Sequence, residues 1–147
     1  MATITKFEDL EVWQGARKLN SELSPVLEVL GESRSYGLKD QLDRSAGSVM
    51  DNIAEGFERD GNREFIHFLS IAKASLGEVR SQLYRVLDRN FIEQEKFEEL
   101  NNKCLVLANQ IGRFMTYLNN SNIKGKKFLK PTELLSFSNK PEIINSK

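Results

Sequence analysis

Phe65-Ile-His-Phe-Leu69-Ser-Ile-Ala72-Lys-Ala-Ser75-Leu76-Gly-Glu-Val79-Arg-Ser-Gln-Leu83-Tyr-Arg-Val86 decides the fold. Its apolar residues Phe65, Leu69, Ala72, Leu76, Val79, Leu83 and Val86 alternate spacings of four and three without a miss. A strand would alternate every second residue, whereas this period puts one apolar stripe along one side of a helix. The strict seven-residue repeat further implies left-handed packing against other helices at about +20°.

The same period runs through the neighbouring sequence. Downstream, over 94–119, the stripe is Phe97, Leu100, Cys104, Leu107, Ile111, Phe114 and Leu118. Upstream, over 38–57, it is Leu38, Leu42, Ala46, Val49, Ile53 and Phe57, followed by a turn at Asp60-Gly61-Asn62. Over 7–30 it is Phe7, Leu10, Trp13, Ala16, Leu19, Leu23, Leu27 and Leu30. Pro25 lies within this first segment and predicts a kink or a restart, with Ser24 as the N-cap. Gly31 to Gly37 reads as a break. Between Pro25 and Pro131 there is no proline, so rods of roughly 35–40 Å are allowed. Four amphipathic helices with short connections predict an all-α, antiparallel up-down-up-down four-helix bundle over residues 1–121.

From Asn122 the composition changes. Residues 122–147 hold six Lys against Glu133 and Glu142, a net charge of +4, and are rich in Asn and Ser. They read as a flexible basic tail, largely disordered. Its Lys124, Lys126 and Lys127 are candidate nucleic-acid contacts.

Composition excludes several classes of function. The 147 residues carry 21 Lys+Arg and 21 Asp+Glu, so no global basic footprint exists. One Cys cannot form an intramolecular disulfide, and one His excludes every two-histidine metal site, including the two Glu-x-x-His pairs of a di-iron bundle. Glu64-x-x-His67 is a single instance, and His67 falls off the apolar stripe. Cys104 falls on the stripe and reads as a buried, inert thiol. Gly125-Lys126-Lys127 lacks the rest of a phosphate-binding loop. The first residues have no apolar core of a signal peptide, and no run approaches the roughly 20 apolar residues of a membrane span. The expectation is a cytoplasmic protein, not an enzyme, with no cofactor, no metal and no small-molecule substrate.

A second, polar period runs beside the apolar one. Gln41, Ser45, Ser48, Asn52 and Glu55 repeat at four and three on the second helix, with Arg44 alongside. Ser75, Glu78, Gln82, Arg85 and Arg89 do so on the third. Polar groups at the flank of a core are covered by a neighbouring helix or subunit, and must then be hydrogen-bonded. Gln41, Arg44, Ser48, Asn52, Glu55, Ser75, Glu78 and Gln82 are therefore the candidate structural network or interface. Small residues, Ala46, Gly47, Ala54, Gly56, Ala72, Ala74, Ser75 and Gly77, predict close helix approach. Gly77, costly inside a helix, is expected to sit in such a contact.

Gln41-Leu-Asp-Arg44-Ser-Ala46-Gly-Ser48-Val-Met-Asp-Asn52-Ile-Ala-Glu55-Gly56-Phe-Glu-Arg59 resembles the signature of the four-helix-bundle family of 23S rRNA intervening-sequence proteins. Phe7-Glu-Asp-Leu10-Glu-Val-Trp13-Gln-Gly-Ala16, Tyr36-Gly-Leu38-Lys and the Glu64–Glu78 stretch are similar to other parts of that family, so the likeness spans about residues 6–119. The resemblance implies a cytoplasmic antiparallel bundle that assembles as a homo-oligomer, often a pentamer. Related accessory variability determinants of diversity-generating retroelements bind nucleic acid and a reverse transcriptase. The family has no known catalytic residues, so the resemblance implies none here.

The function expected is a non-enzymatic oligomeric binding scaffold, with RNA or an RNA-handling protein as partner. The alternative is a protein–protein adaptor without a nucleic-acid role. Arg59, Arg63, Lys73, Arg80, Arg85 and Arg89 are the candidate contacts on the bundle, and a ring would multiply even a small patch into a belt.

Overall fold

Leu10, at the N-cap of the first helix, and Ala16, Leu19, Leu23 and Leu30 within it are buried, each three to seven residues from the next. That spacing sets the pattern for the whole computed structural model, which describes residues 3–121. After a short 3-10 turn at Phe7–Asp9 come four helices: α1 (Glu11–Glu32), α2 (Tyr36–Glu58), α3 (Asn62–Asp88) and α4 (Gln94–Asn119). No strand occurs among the described residues. The tail read from 122 onward, with Lys124, Lys126 and Lys127, lies outside them.

One core joins all four helices. Every residue of the α3 and α4 stripes is buried, from Phe65 to Val86 and from Phe97 to Leu118. Phe65 stands edge-on to Phe114 with ring centroids 5.4 Å apart, and to Phe57 at 5.9 Å, fixing three helices to one another at one end. Burying such side chains supplies about 1.5–3 kcal/mol each against exposure. None of the four helices has a side-chain N-cap bond, so packing carries what capping does not.

The neighbouring pairs are α1 with α2, α2 with α3, α3 with α4, and α4 with α1. Contacts within a pair run in opposite sequence order. Gln41 meets Arg85 while Ser48 meets Ser75, and Glu22 meets Lys103 while Gly15 meets Leu107.

Several expectations need correction. In α1 Val12 and Val26 join the buried positions, while Trp13 and Leu27 pack half-buried beside the core. Phe7 belongs to the 3-10 turn and not to the helix, and stacks edge-on against Trp13 at 5.0 Å. In α2 the end of the stripe is Gly56, with Phe57 half-buried. Pro25 causes no restart: α1 runs unbroken through it. The proline is exposed, and the carbonyl it deprives of a donor belongs to exposed Ser21, where water can serve. Ser24 is not a cap but donates weakly to the Asn20 carbonyl at 3.4 Å.

The break at Gly31–Gly37 is shorter than expected, because both glycines lie inside helices. The residue in the left-handed region is Arg34, φ 58°. Ser35 N–H donates to Leu30 O at 2.8 Å and Arg34 N–H to Gly31 O at 3.1 Å, a Schellman ending. Asn90, φ 61°, ends α3 in the same way, with Phe91 N–H on Val86 O at 3.1 Å.

Candidate functional site

The two polar lines meet along the flank of α2 and α3, outside their apolar stripes. Heptad spacing makes this geometric, since residues at four and three on each helix stay on one side and pair level by level. Near one end Arg85 donates to the Gln41 Oε1 at 2.7 Å. One level further, Gln82 Nε2 donates to Ser45 Oγ at 2.9 Å, and Ser45 donates on to Glu78 Oε2 at 3.3 Å. Next, Asn52 Nδ2 donates to both the carbonyl and the hydroxyl of Ser48, each at 2.8 Å. The Ser48 and Ser75 hydroxyls are 2.9 Å apart, and Ser75 Oγ reaches the Ile71 carbonyl at 3.1 Å. A hydroxyl has one proton, so with that of Ser75 on Ile71 the donor across the helices is Ser48.

Burial grades across this ladder. Ser45, Ser75 and Gln82 are buried, Ser48 and Asn52 half-buried, and Gln41, Arg44, Glu55 and Glu78 exposed. Gln82 Oε1 is buried and meets no donor among the described residues, a cost of about 1–3 kcal/mol. The candidates therefore come together except at two points. Arg44 is exposed beside the ladder, and Glu55 turns to Arg59 at 3.0 Å. Ser45, whose place in the four-three line was readable, is the ladder's centre, and Arg44 is not.

Gly56, in the same signature, is a packing element. A Cβ there would stand 2.7 Å from Phe68 Cβ and 3.3 Å from the Phe65 carbonyl, so only glycine allows α2 and α3 to approach at this level. Gly77 does not behave as expected. A Cβ there, or at Gly47, would meet nothing within 4 Å. The close contact read for Gly77 is not made among the described residues.

The basic candidates are spread out. Arg63, Lys73 and Arg89 are exposed, and Arg63 and Arg89 lie about 39 Å apart along α3. Arg80 turns toward α4, its Nε on Asn101 Oδ1 at 2.9 Å, while Arg85 turns toward α2. Arg59 lies over the Phe68 ring at 5.3 Å, and the hydrogen bond it donates to the Glu55 carboxylate holds its guanidinium above the usual value.

Cys104 is buried, and desolvation pushes its thiol up to about 11, so the nucleophilic thiolate is scarce at neutral pH. His67 is exposed, edge-on to Phe68 at 5.6 Å. No group of three or more His, Cys, Asp or Glu that could hold a metal ion occurs among the described residues, and no helix there is long and apolar enough to cross a membrane.

The class defined by these observations is an all-helical bundle with a polar ladder beside its core. The family model described as 23S rRNA-intervening sequence protein matches residues 8–113, and the chain belongs to that family. A crystal structure of a protein of unknown function from the S23 ribosomal protein family of Bacteroides thetaiotaomicron is similar in fold. It has a TM-score of 0.67 at 21% identity, covering 71% of this chain and 97% of that one. No curated protein matches the chain.

Proposed function

We propose that this protein is a non-enzymatic scaffold: an antiparallel up-down-up-down bundle that assembles with copies of itself in the cytoplasm. It presents its outer surfaces to RNA or to an RNA-handling protein. The observation that carries the reading is the α2–α3 ladder together with Gly47 and Gly77, mid-helix glycines at which a Cβ would meet nothing within 4 Å among the described residues. An interior glycine costs about 1 kcal/mol against alanine, so an uncontacted pair is explained by surfaces that another molecule covers. The five-fold ring implied by the family likeness is one such assembly, and the family's printed name supports the link to RNA.

Among the described residues the basic side chains are spread over α2 and α3, so the mechanism proposed is multivalent. Separate sites at Arg59, Arg63, Lys73 and Arg89 act together once several copies are joined, each phosphate contact adding through counterion release. The second reading, a protein–protein adaptor, is favoured by the same scatter of basic residues and by exposed apolar side chains such as Tyr36, Tyr84 and Leu105. A salt titration of RNA binding separates the two. The scaffold reading expects affinity that falls steeply with salt and a shallower slope for Arg63→Ala with Arg89→Ala. Absence of binding at low salt removes RNA as the partner and leaves the adaptor.

A further inference from the structure

Of the four neighbouring helix pairs, α1 and α4 pack against each other least extensively. Between them lies a groove of about 300 Å³. Leu19 and Leu107 line it beside Gly15, with Val106 on its rim and Lys18 and Gln110 at its polar margins. Val106 is 40% exposed and its neighbour Leu105 37%, an unusual pair of adjacent apolar residues on a helix otherwise faced with polar groups. Gly15 keeps the groove open, since a Cβ there would stand only 3.1 Å from Leu107 Cδ1.

One wall of this groove, α4, leads directly into residues 122–147. Val106 precedes Ser121 by fifteen residues, about 22 Å of helix. Seven extended residues beyond Ser121 span about 23 Å, which carries a chain doubled back along α4 to Phe128-Leu129. That pair is flanked by Lys126, Lys127 and Lys130. At the groove itself Glu22 of the opposite wall, α1, is already paired with Lys103. Reach and apolar character converge on one occupant. We propose that the groove between α1 and α4 receives Phe128 and Leu129 of the same chain.

The test uses disulfide trapping in the full chain. Lys18→Cys with Lys127→Cys places one thiol on the groove margin and one beside the apolar pair. Ala74→Cys with Lys127→Cys is the control: Ala74 is exposed on α3 and, next to Lys73, which lies beside Gly112, is no farther from the end of α4. Buried Cys104 stays out of the exchange because its thiolate is scarce. The groove pair is expected to close within one chain at least about tenfold faster than the control, reflecting a higher local concentration. Adding Phe128→Ser and Leu129→Ser should bring it down to the control rate. Equal rates for the two pairs, a rate indifferent to Phe128 and Leu129, or bridges formed mainly between chains would each overturn the proposal.

Discussion

Gly56 and Gly77 carry the same residue type in the same kind of helix and play opposite parts. Where Gly56 faces Phe68 Cβ at 2.7 Å, a methyl group has nowhere to go, so Gly56→Ala is expected to destabilise by about 1–3 kcal/mol in urea unfolding. Where Gly77 faces open space, Gly77→Ala is expected to raise the stability of the single chain by about 1 kcal/mol through helix propensity, while weakening assembly if a second copy packs there. Sequence could flag both glycines as anomalous but could not tell them apart, because the difference is a distance to another helix. Cys104 was legible from its place on the stripe. Its thiol, raised from 9.0 to about 11, favours the folded state while protonated. That contribution is full below pH 9 and is lost as pH rises towards 11, where the unfolded chain ionises first. Urea midpoints measured from pH 8 to 11 should therefore fall by more in the wild type than in Cys104→Ala.

At the level of elements, α3 and α4 could be read almost completely because their apolar residues are large and strictly spaced. In α1 the stripe is wide, and Trp13 and Leu27 compete with Val12 and Val26. Periodicity gives the direction of such a face only to within a residue, and the packing partners decide which edge goes deepest. Helix endings were the least legible feature. Arg34 in the left-handed region was hidden because the nearby glycines, Gly31 and Gly37, looked like better stops. Since a side chain is strained there, Arg34→Gly should stabilise by about 0.5–1 kcal/mol in thermal or urea unfolding. The ladder was legible as two polar lines, and its register followed from their shared period, but the individual donors and acceptors needed coordinates. A double-mutant cycle with Ser45→Ala and Gln82→Leu should give a coupling of about 1 kcal/mol, since each loses its partner when the other is changed. Additive effects would mean that this rung contributes nothing specific.

For the molecule as a whole, the bundle is a consequence of four stripes sharing one interior, and its function lies on what that interior leaves outside. Surfaces hold the groups that the core does not use: the ladder, the uncontacted glycines, the scattered arginines. In the scaffold reading proposed above, assembly brings the scattered arginines of several copies together. Asn52→Leu with Glu55→Leu is expected to keep the helix content while changing the oligomeric state, because Asn52 is half-buried at the ladder's edge and Glu55 is exposed beside it. The most direct measurement is the mass of the native assembly of the full chain by sedimentation equilibrium at micromolar concentration. A mass several times the 16.8 kDa of one chain, shifted by that double substitution, is the predicted result. A single species at 16.8 kDa across the concentration range would contradict the account.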